Sequence, residues 1–211
     1  MTYQVQDILE QAFPVMPVLA VSRVEDAQPL ARALKAGGLT VLEVTLRTSA
    51  AIDVIAEMKK VDGIIVGAGT VTRVEQLKQL EAVGADFAIS PGATPRLLEA
   101  GQQTSMPFLP AIASVSEMMQ GLEMGYNHFK FFPAAASGGV SALKAFAGPF
   151  PDVRFCPTGG ISVNDFTQYL ALQNVLCVGG SWVVPADALN QGDWERIEQL
   201  AREACELARQ S

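Results

Sequence analysis

The sequence predicts an α/β protein: a single (β/α)8 TIM barrel over residues 1–211 with an N-terminal capping helix. Eight short apolar runs rich in β-branched residues recur at intervals of roughly 20 to 25 residues, as buried strands of a parallel sheet do. Segments with apolar residues at helical spacing separate these runs, and no stretch remains for a linker or a second domain. Eight alternating units in 211 residues favour a compact closed barrel.

The elements follow in order along the chain. A helix at about 4–13 precedes the first strand, and a long segment at 193–210 completes the barrel. Two pairs, Thr72 with Glu75 and Ser114 with Glu117, have the spacing of helix N-terminal capping boxes. The predicted strands are "PVLAV" (17–21), "TVLEVT" (40–45), "GIIVGAGT" (63–70), "ADFAIS" (85–90), "PFLPAI" (107–112), "HFKFF" (128–132), "VRFCPTGG" (153–160) and "VLCVGGS" (175–181).

A doubly wound open sheet is the alternative fold. The stretch "GAGTVT" (67–72) has part of a dinucleotide-binding fingerprint. It lacks the third glycine, and it follows the third predicted strand, whereas that fingerprint follows the first. The closed barrel is therefore the preferred prediction.

Composition and charge limit the classes of function. The chain is 49% hydrophobic and 18% charged, which is a globular composition, and its net charge is −7. We expect no nucleic-acid partner because no cluster of Lys and Arg provides a basic face, and no membrane span because no apolar run is long enough. Three cysteines without a CxxC motif and the lack of a signal-peptide pattern predict a cytoplasmic location.

Metal ligation is not expected either. The only histidine, His128, begins a predicted strand, far from the strand ends where the chemistry of such barrels collects. Carboxylates do not cluster at metal-ligand spacing. The sequence therefore predicts a site without a metal ion.

The stretch "LEVTLR" (42–47) places three polar residues on one face of a strand. Because side chains alternate between faces, Glu43, Thr45 and Arg47 share the face opposite Leu42 and Val44. If the apolar face meets the helices, the polar set points into the barrel. Two interpretations remain open: a structural ion pair at the barrel mouth, or an acid/base carboxylate beside a carboxylate-binding arginine.

A lysine lies in the middle of the phenylalanine-rich run "HFKFF". Phe129 and Phe131 share one face, so Lys130 and Phe132 share the other and are predicted to point inward. An unpaired ammonium is costly to bury, which makes a chemical role more plausible than a structural one. Burial and a nearby Arg47 would both favour the neutral amine, and a neutral amine is the nucleophile of Schiff-base chemistry.

Glycines lie at the ends of the third, seventh and eighth predicted strands. In "GAGT", Gly67 and Gly69 allow a close approach to the backbone, and Thr70 offers a hydroxyl at the strand end. Glycine pairs in "PTGGIS" (157–162) and "GGSWV" (179–183) expose backbone N–H groups where barrels of this type often bind phosphate. The alternative is that these glycines only relieve crowding at the top of the barrel.

Six motifs together resemble a known family. "EVTLRT", "VGAGTV", "AISPG", "FKFFPA", "PTGGIS" and "GGSW" occur in this order over about residues 10 to 205. The chain resembles the family of 2-keto-3-deoxy-6-phosphogluconate (KDPG) and 4-hydroxy-2-oxoglutarate (KHG) aldolases. "EVTLR" and "FKFFPA" are the specific motifs, whereas the glycine motifs alone are generic.

The resemblance implies a class I (Schiff-base) aldolase of the Entner–Doudoroff pathway. It implies cleavage of KDPG, a phosphorylated 2-keto-3-deoxy sugar acid, to pyruvate and glyceraldehyde 3-phosphate, a side activity on KHG, no cofactor and a homotrimer. Two alternatives stay open: an aldolase for the galactonate epimer of KDPG, and a phosphosugar-binding barrel without catalysis.

The resemblance also implies a role for each matching residue. Lys130 matches the Schiff-base lysine and Glu43 the general acid/base. The remaining matches are Arg47 and Thr70 for the pyruvoyl carboxylate, Pro91 and Phe132 for the pocket walls, and Thr158, Gly159, Gly160, Gly180 and Ser181 for the phosphate. One stretch departs from the family pattern: "PAIAS" (110–114) has Ala111 where a glycine is expected and Ala113 where a hydroxyl residue is expected. This difference bears on fine substrate preference and leaves the reaction class unchanged.

Overall fold

Helices and parallel strands alternate through residues 3–210, the part of the chain that the computed structural model describes. The strands are β1 (Val15–Leu19), β2 (Val41–Thr45), β3 (Ile65–Gly69), β4 (Ala88–Ile89), β5 (Phe108–Leu109), β6 (Ala111–Ile112), β7 (His128–Phe131), β8 (Arg154–Pro157) and β9 (Val178–Gly180). The helices are α1 (Val5–Gln11), α2 (Ala27–Ala36), α3 (Ala51–Met58), α4 (Val74–Ala82), α5 (Pro95–Gln103), α6 (Val115–Glu123), α7 (Gly139–Ala147), α8 (Phe166–Leu170), α9 (Ala186–Gln191) and α10 (Trp194–Gln210).

The strands form two parallel sheets. One has the order β5-β4-β3-β2-β1-β9 and the other the order β6-β7-β8. Strands that follow one another along the chain are neighbours within each sheet, and the first strand also pairs with the last. The pairing of β1 with β9 favours the predicted barrel over the doubly wound alternative.

The two sheets meet at two places. Strands β5 and β6 are successive pieces of one run that Pro110, which has no backbone N–H, interrupts. At the other junction an isolated parallel bridge joins Thr158, just after β8, to Gly179 of β9. A second bridge joins Phe155 to Val175.

Buried apolar side chains form two clusters on opposite faces of the strands. The larger packs strand residues such as Leu42, Val44, Phe129 and Phe131 with the helices. The smaller contains Ile8, Leu9 and Ala12 of the α1 region together with residues in or next to the strands that alternate with the first set, namely Met16, Val41, Ile65, Phe87, Ile89, Leu109, Cys156 and Cys177. Helix α1 thus packs against the face opposite the other helices.

The predicted elements are present, with shifted ends. The first strand begins at Val15, two residues before the predicted position. The Ser114–Glu117 capping box is confirmed, since Ser114 Oγ accepts from Glu117 N at 3.3 Å. The Thr72–Glu75 box is wrong, because the Gln76 side chain accepts from Thr72 N at 2.8 Å instead. No helix among residues 3–210 is long and apolar enough to cross a bilayer.

Candidate active site

Glu43 and Lys130 form a buried ion pair between two strands that are distant in sequence. Lys130 Nζ lies 2.8 Å from Glu43 Oε1 and 3.2 Å from Oε2, although the residues are 87 positions apart. Glu43 is 1% exposed and Lys130 is 5% exposed. The predicted inward direction of both side chains is confirmed by this contact.

Strand alternation positions the pair. On β2, Leu42 and Val44 belong to the helix-facing cluster, so Glu43 points to the other face. On β7, Phe129 and Phe131 also belong to the helix-facing cluster, so Lys130 points to the other face. The apolar neighbours that fix the strands against the helices therefore also aim the two charges at each other.

Because Glu43 and Lys130 are buried, each charge needs the other to offset the cost of its desolvation. Desolvating a single carboxylate or ammonium costs several kcal/mol, and the penalty is offset only when an opposite charge is close and well oriented. Here the ammonium faces both carboxylate oxygens. The pair also provides a direct path for a proton between nitrogen and oxygen.

An aromatic ring borders the lysine. The centroid of the half-buried Phe132 ring lies 5.6 Å from Lys130 Nζ, within the range of a cation–π contact. Phe132 lies on the same face of the chain as Lys130, as predicted. The ring adds an apolar surface beside the amine.

The glycines of β3 make room for large neighbours. Glu43 pairs in register with Gly67, and a Cβ at Gly69 would collide with the Glu43 carboxylate. A Cβ at Gly67 would collide with the Phe87 ring. The close approach predicted for "GAGT" thus has a partner at each glycine, and the partner of Gly69 is the buried carboxylate.

Arg47 lies just beyond the end of β2 and is exposed. Its Nε donates to Thr45 Oγ1 at 3.0 Å, and that hydroxyl donates to the Leu19 carbonyl of β1 at 2.7 Å. Among residues 3–210 the Arg47 guanidinium has no carboxylate partner. The interpretation of Glu43 and Arg47 as a structural ion pair is therefore wrong, since the partner of Glu43 is Lys130.

Thr70 and Pro91 follow the ends of β3 and β4. Thr70 has a φ of +62°, the only positive value for a residue other than glycine among residues 3–210. A β-branched residue in this region is a genuine outlier and costs on the order of 1–3 kcal/mol. Its hydroxyl makes no hydrogen bond to another of the described residues. Pro91 is half-buried at the neighbouring strand end.

The segment after β8 contains predicted phosphate-site residues. Thr158 is buried, whereas Gly159 and Gly160 have φ values of +99° and +75°, which glycine adopts readily. A Cβ at Gly159 would lie 3.2 Å from the Phe132 ring, so this turn lies directly beside the lysine strand. No acceptor among residues 3–210 takes a hydrogen bond from the N–H of Gly159 or Gly160.

The end of β9 lies next to this turn. Gly179 is bridged to Thr158, and a Cβ on Gly179 would collide with the threonine side chain. A Cβ on Gly180 would likewise collide with the Trp182 ring. Ser181, the next residue, is exposed. Within the described part of the chain the Ser181 N–H also has no acceptor. The two glycine motifs are therefore adjacent, with backbone donors that are not used by the fold.

Two thiols lie on the inward face near the pair. Cys156 pairs in register with Lys130, and it belongs to the same buried cluster as Cys177. A hydrogen bond with Cys156, burial and the nearby Glu43 charge raise the pKa of the Cys177 thiol well above its usual value. The Cys177 thiol is therefore protonated and unreactive. Cys156 is buried in the same apolar cluster, where it fills the core.

His128 begins β7, as predicted. Its Nδ1 lies 2.7 Å from Asn127 Oδ1, and its Nε2 is buried without a hydrogen-bond partner. Burial, together with the charge of Arg154, lowers the pKa of His128, and Glu10 acts in the opposite direction. No group of three or more His, Cys, Asp or Glu side chains within residues 3–210 is arranged to hold a metal ion.

Sequence reasoning missed two features of the site. The sequence places Thr45 on the polar face of its strand, and the structure shows that it also binds Arg47 directly. The sequence predicts a close approach at Gly69, and the structure identifies the approaching group as the Glu43 carboxylate. Side-chain alternation along "EVTLR" places Thr45 and Arg47 on one face, so their contact could have been predicted. The partner of Gly69 could not, because it depends on the register between β2 and β3.

Known proteins match nearly the whole chain. A family model described as KDPG and KHG aldolase matches residues 5–200. The 2-dehydro-3-deoxy-phosphogluconate aldolase of Pseudoalteromonas atlantica is 58% identical over 94% of this chain and 93% of its own length. The KHG/KDPG aldolase of Escherichia coli K12 is 57% identical over 93% of this chain and 92% of its own.

A solved structure has the same fold. The crystal structure of KDPG aldolase from Legionella pneumophila superimposes with a TM-score of 0.94 at 51% identity, covering 97% of this chain and 99% of that one. That crystal structure is described as containing pyruvate captured at low pH as a covalent carbinolamine intermediate.

Proposed function

The chain belongs to the KDPG and KHG aldolase family, and we propose that it is a class I aldolase that cleaves KDPG to pyruvate and glyceraldehyde 3-phosphate. One observation carries the proposal most strongly: Lys130 Nζ and Glu43 Oε1 lie 2.8 Å apart in a buried site. A lysine nucleophile in contact with a group that can take its proton is the basic unit of Schiff-base catalysis.

The first half of the reaction builds the imine. A proton passes from the Lys130 ammonium to Glu43 along their hydrogen bond, which converts two buried charges into two neutral groups. The free amine then attacks the C2 ketone of the substrate. Glu43 protonates the resulting carbinolamine hydroxyl, water leaves, and a protonated imine remains on Lys130.

The second half breaks the carbon–carbon bond. Glu43, directly or through a water molecule, removes the proton of the C4 hydroxyl. The C3–C4 bond breaks, its electrons move into the imine to form an enamine, and glyceraldehyde 3-phosphate leaves. Protonation of the enamine at C3 and addition of water then release pyruvate and free Lys130.

Substrate binding uses the polar groups at neighbouring strand ends. Arg47 and Thr70 bind the carboxylate of the pyruvoyl part, since a guanidinium with free donors matches a carboxylate in two contacts. The unpaired hydroxyl of the strained Thr70 and the two Nη groups of Arg47, which no described residue engages, support this role. Phe132 and Pro91 form the apolar walls beside the reacting carbons.

The phosphate is bound between the ends of β8 and β9. Gly159, Gly160 and Ser181 contribute N–H groups that the fold leaves without acceptors, and Thr158 and Gly180 complete the site. Backbone donors of this kind bind phosphate without a cationic side chain. This fits a chain with a net charge of −7 that acts on an anionic substrate.

We also infer that the two sheets are parts of one closed barrel with α1 as its cap. Continuity of the chain through Pro110 supports one junction, and the Thr158–Gly179 bridge supports the other. The contact of Ile8, Leu9 and Ala12 with the inward cluster supports the cap. We propose a cytoplasmic homotrimer for the working enzyme, which rests on the family resemblance.

The stretch "PAIAS", which differs from the family pattern at Ala111 and Ala113, lies beside the proposed substrate pocket around Lys130. Ala111 is buried and pairs in register with Lys130, so its methyl group is close to the lysine strand, whereas Ala113 is exposed. We expect this difference to affect the balance between KDPG, its galactonate epimer and KHG.

A lactate-dehydrogenase-coupled assay of pyruvate release tests the proposed function. KDPG, its galactonate epimer and KHG are compared, with Lys130→Ala as the control that lacks the nucleophile. We expect the highest kcat/KM for KDPG, a weaker activity for KHG and none for Lys130→Ala. A higher kcat/KM for the epimer would identify the epimer as the preferred substrate. Binding of KDPG without pyruvate release would show that the protein binds the sugar acid but does not catalyse its cleavage.

A further inference from the structure

Thr45 connects the proposed carboxylate-binding arginine to the core of the sheet. It is the last residue of β2 and is 2% exposed. Its hydroxyl lies 2.7 Å from the Leu19 carbonyl oxygen and 3.0 Å from Arg47 Nε. Arg47 itself is exposed and has no other protein partner among the described residues. The exposed guanidinium is thus tied to a buried side chain at a single atom.

The direction of both hydrogen bonds is fixed by chemistry. A carbonyl oxygen can only accept, so the single hydroxyl proton of Thr45 points to Leu19. The lone pairs of the same oxygen then face Arg47 Nε, which can only donate. Because each group has one available role, the hydroxyl cannot rotate without losing a bond.

This connection determines which edge of the guanidinium is free. A guanidinium can bind a carboxylate through its Nε and one Nη, or through its two Nη atoms. The first edge is occupied by Thr45. The edge formed by the two Nη atoms is the one that no described residue uses.

We propose that Thr45 is a positioning residue for substrate binding: it holds Arg47 so that the two Nη atoms meet the substrate carboxylate. This rests on the proposed function, in which Arg47 binds that carboxylate. Preordering a long side chain lowers the entropy lost on binding. Thr45 therefore acts on binding of the carboxylate and has little effect on proton transfer at Lys130.

A set of variants tests this role. Thr45→Val keeps the shape and removes the hydroxyl, and Thr45→Ser restores the hydroxyl. Thr48→Val is the matched control, because the Thr48 hydroxyl also donates to a β1-side carbonyl, that of Val21 at 2.6 Å, but has no bond to Arg47. Arg47→Ala and the double variant with Thr45→Val complete a double-mutant cycle.

For Thr45→Val we expect KM for KDPG to rise about tenfold with kcat within about twofold, the size of one lost hydrogen bond to a charged group. Thr45→Ser is expected to restore KM to near the wild-type value, and Thr48→Val to leave KM unchanged. In the Arg47→Ala background, Thr45→Val should add no further rise in KM. If Thr45→Val fails to fold, the same cycle is run with Thr45→Ala.

Three outcomes would overturn the role of Thr45: an unchanged KM in Thr45→Val, independent and multiplicative effects of Thr45 and Arg47, or an equal rise of KM in Thr48→Val. Borohydride trapping of pyruvate in wild-type protein and in Thr45→Val separates this inference from the proposed function. An adduct on Lys130 in both, together with an unchanged KM, rejects only the role of Thr45. Absence of the adduct from wild-type protein rejects the function on which it rests.

Discussion

Both carboxylate oxygens of Glu43 face the Lys130 ammonium, at 2.8 and 3.2 Å. Such an ion pair is weak support for stability, because hydrophobic side chains of the same size would often stabilise a buried site as well or better. Its value lies in the chemistry, since the same two groups can exchange a proton and then act on a carbonyl. Glu43 therefore has to serve both as a partner of the resting lysine and as an acid and base during turnover.

Replacing Glu43 by Gln tests this double role. The amide keeps the volume of the carboxylate but cannot accept or return a proton. We expect kcat to fall by about 10²- to 10⁴-fold, the usual contribution of general acid–base catalysis, with a much smaller change in pyruvate affinity. Pyruvate release under saturating KDPG and equilibrium binding of pyruvate measure the two quantities. Unchanged turnover would remove Glu43 from its proposed role.

Gly69→Ala tests the space in which the Glu43 carboxylate lies. The added methyl group collides with that carboxylate, so it has to displace Glu43 from Lys130. We expect a loss of about 1–3 kcal/mol in the free energy of unfolding, as is usual for overpacking, together with a large loss of kcat. Chemical denaturation and the coupled assay measure both.

Gly148→Ala is the matched control for Gly69→Ala. Gly148 has a φ of −64°, and a Cβ there has nothing within 4 Å. We expect this variant to keep wild-type turnover and stability. Full activity in Gly69→Ala would show that the position of the carboxylate is not critical.

Strands β2 and β7 show how far sequence reasoning reaches for a single strand. Alternation in "LEVTLR" and "HFKFF" predicted which residues point inward, because apolar residues on one face leave only one direction for the charges. It could not predict that Glu43 pairs with Lys130 instead of Arg47. That pairing depends on how β2 and β7 are placed around the molecule, which no local pattern contains.

His128, at the start of β7, makes stability depend on pH. Its Nε2 is buried without an acceptor, so a proton added there is poorly solvated, and its pKa is lowered from 6.5. The unfolded chain then binds the proton more tightly than the folded chain, and stability is lost as the pH falls below 6.5. We expect His128→Gln to show a smaller fall in Tm between about pH 7.5 and pH 5 than wild-type protein, as measured by thermal denaturation. An equal fall in both proteins would show that His128 does not cause the loss of stability at low pH.

The overall order of elements was predictable because each strand is an apolar run between helical patterns. Strand bounds were less predictable: β4 is only two residues long, and Pro110 divides one predicted strand into β5 and β6. The ends of these strands are set by hydrogen bonds to neighbouring strands, and the pattern of apolar residues does not show where those bonds stop. The phosphate site was predicted from two glycine pairs, and the adjacency of those pairs became visible only through the Thr158–Gly179 bridge.

The proposed homotrimer makes a simple prediction about mass. Sedimentation equilibrium of native protein should give three times the mass of one chain, and the same protein in denaturant should give the mass of one. A monomer or dimer in the native sample would contradict the proposed assembly and leave the proposed chemistry untouched, because Glu43, Lys130 and Arg47 all belong to one chain.

Borohydride reduction in the presence of pyruvate, followed by peptide mass spectrometry, tests directly whether Lys130 is the Schiff-base nucleophile. We expect one reduced pyruvyl adduct per chain, located on Lys130, because this amine can lose its proton to Glu43 at 2.8 Å. Lys130→Arg, which keeps a positive charge but cannot form the imine, should show no adduct. An unmodified Lys130 in active wild-type protein, or an adduct on another lysine, would show that Lys130 is not the nucleophile.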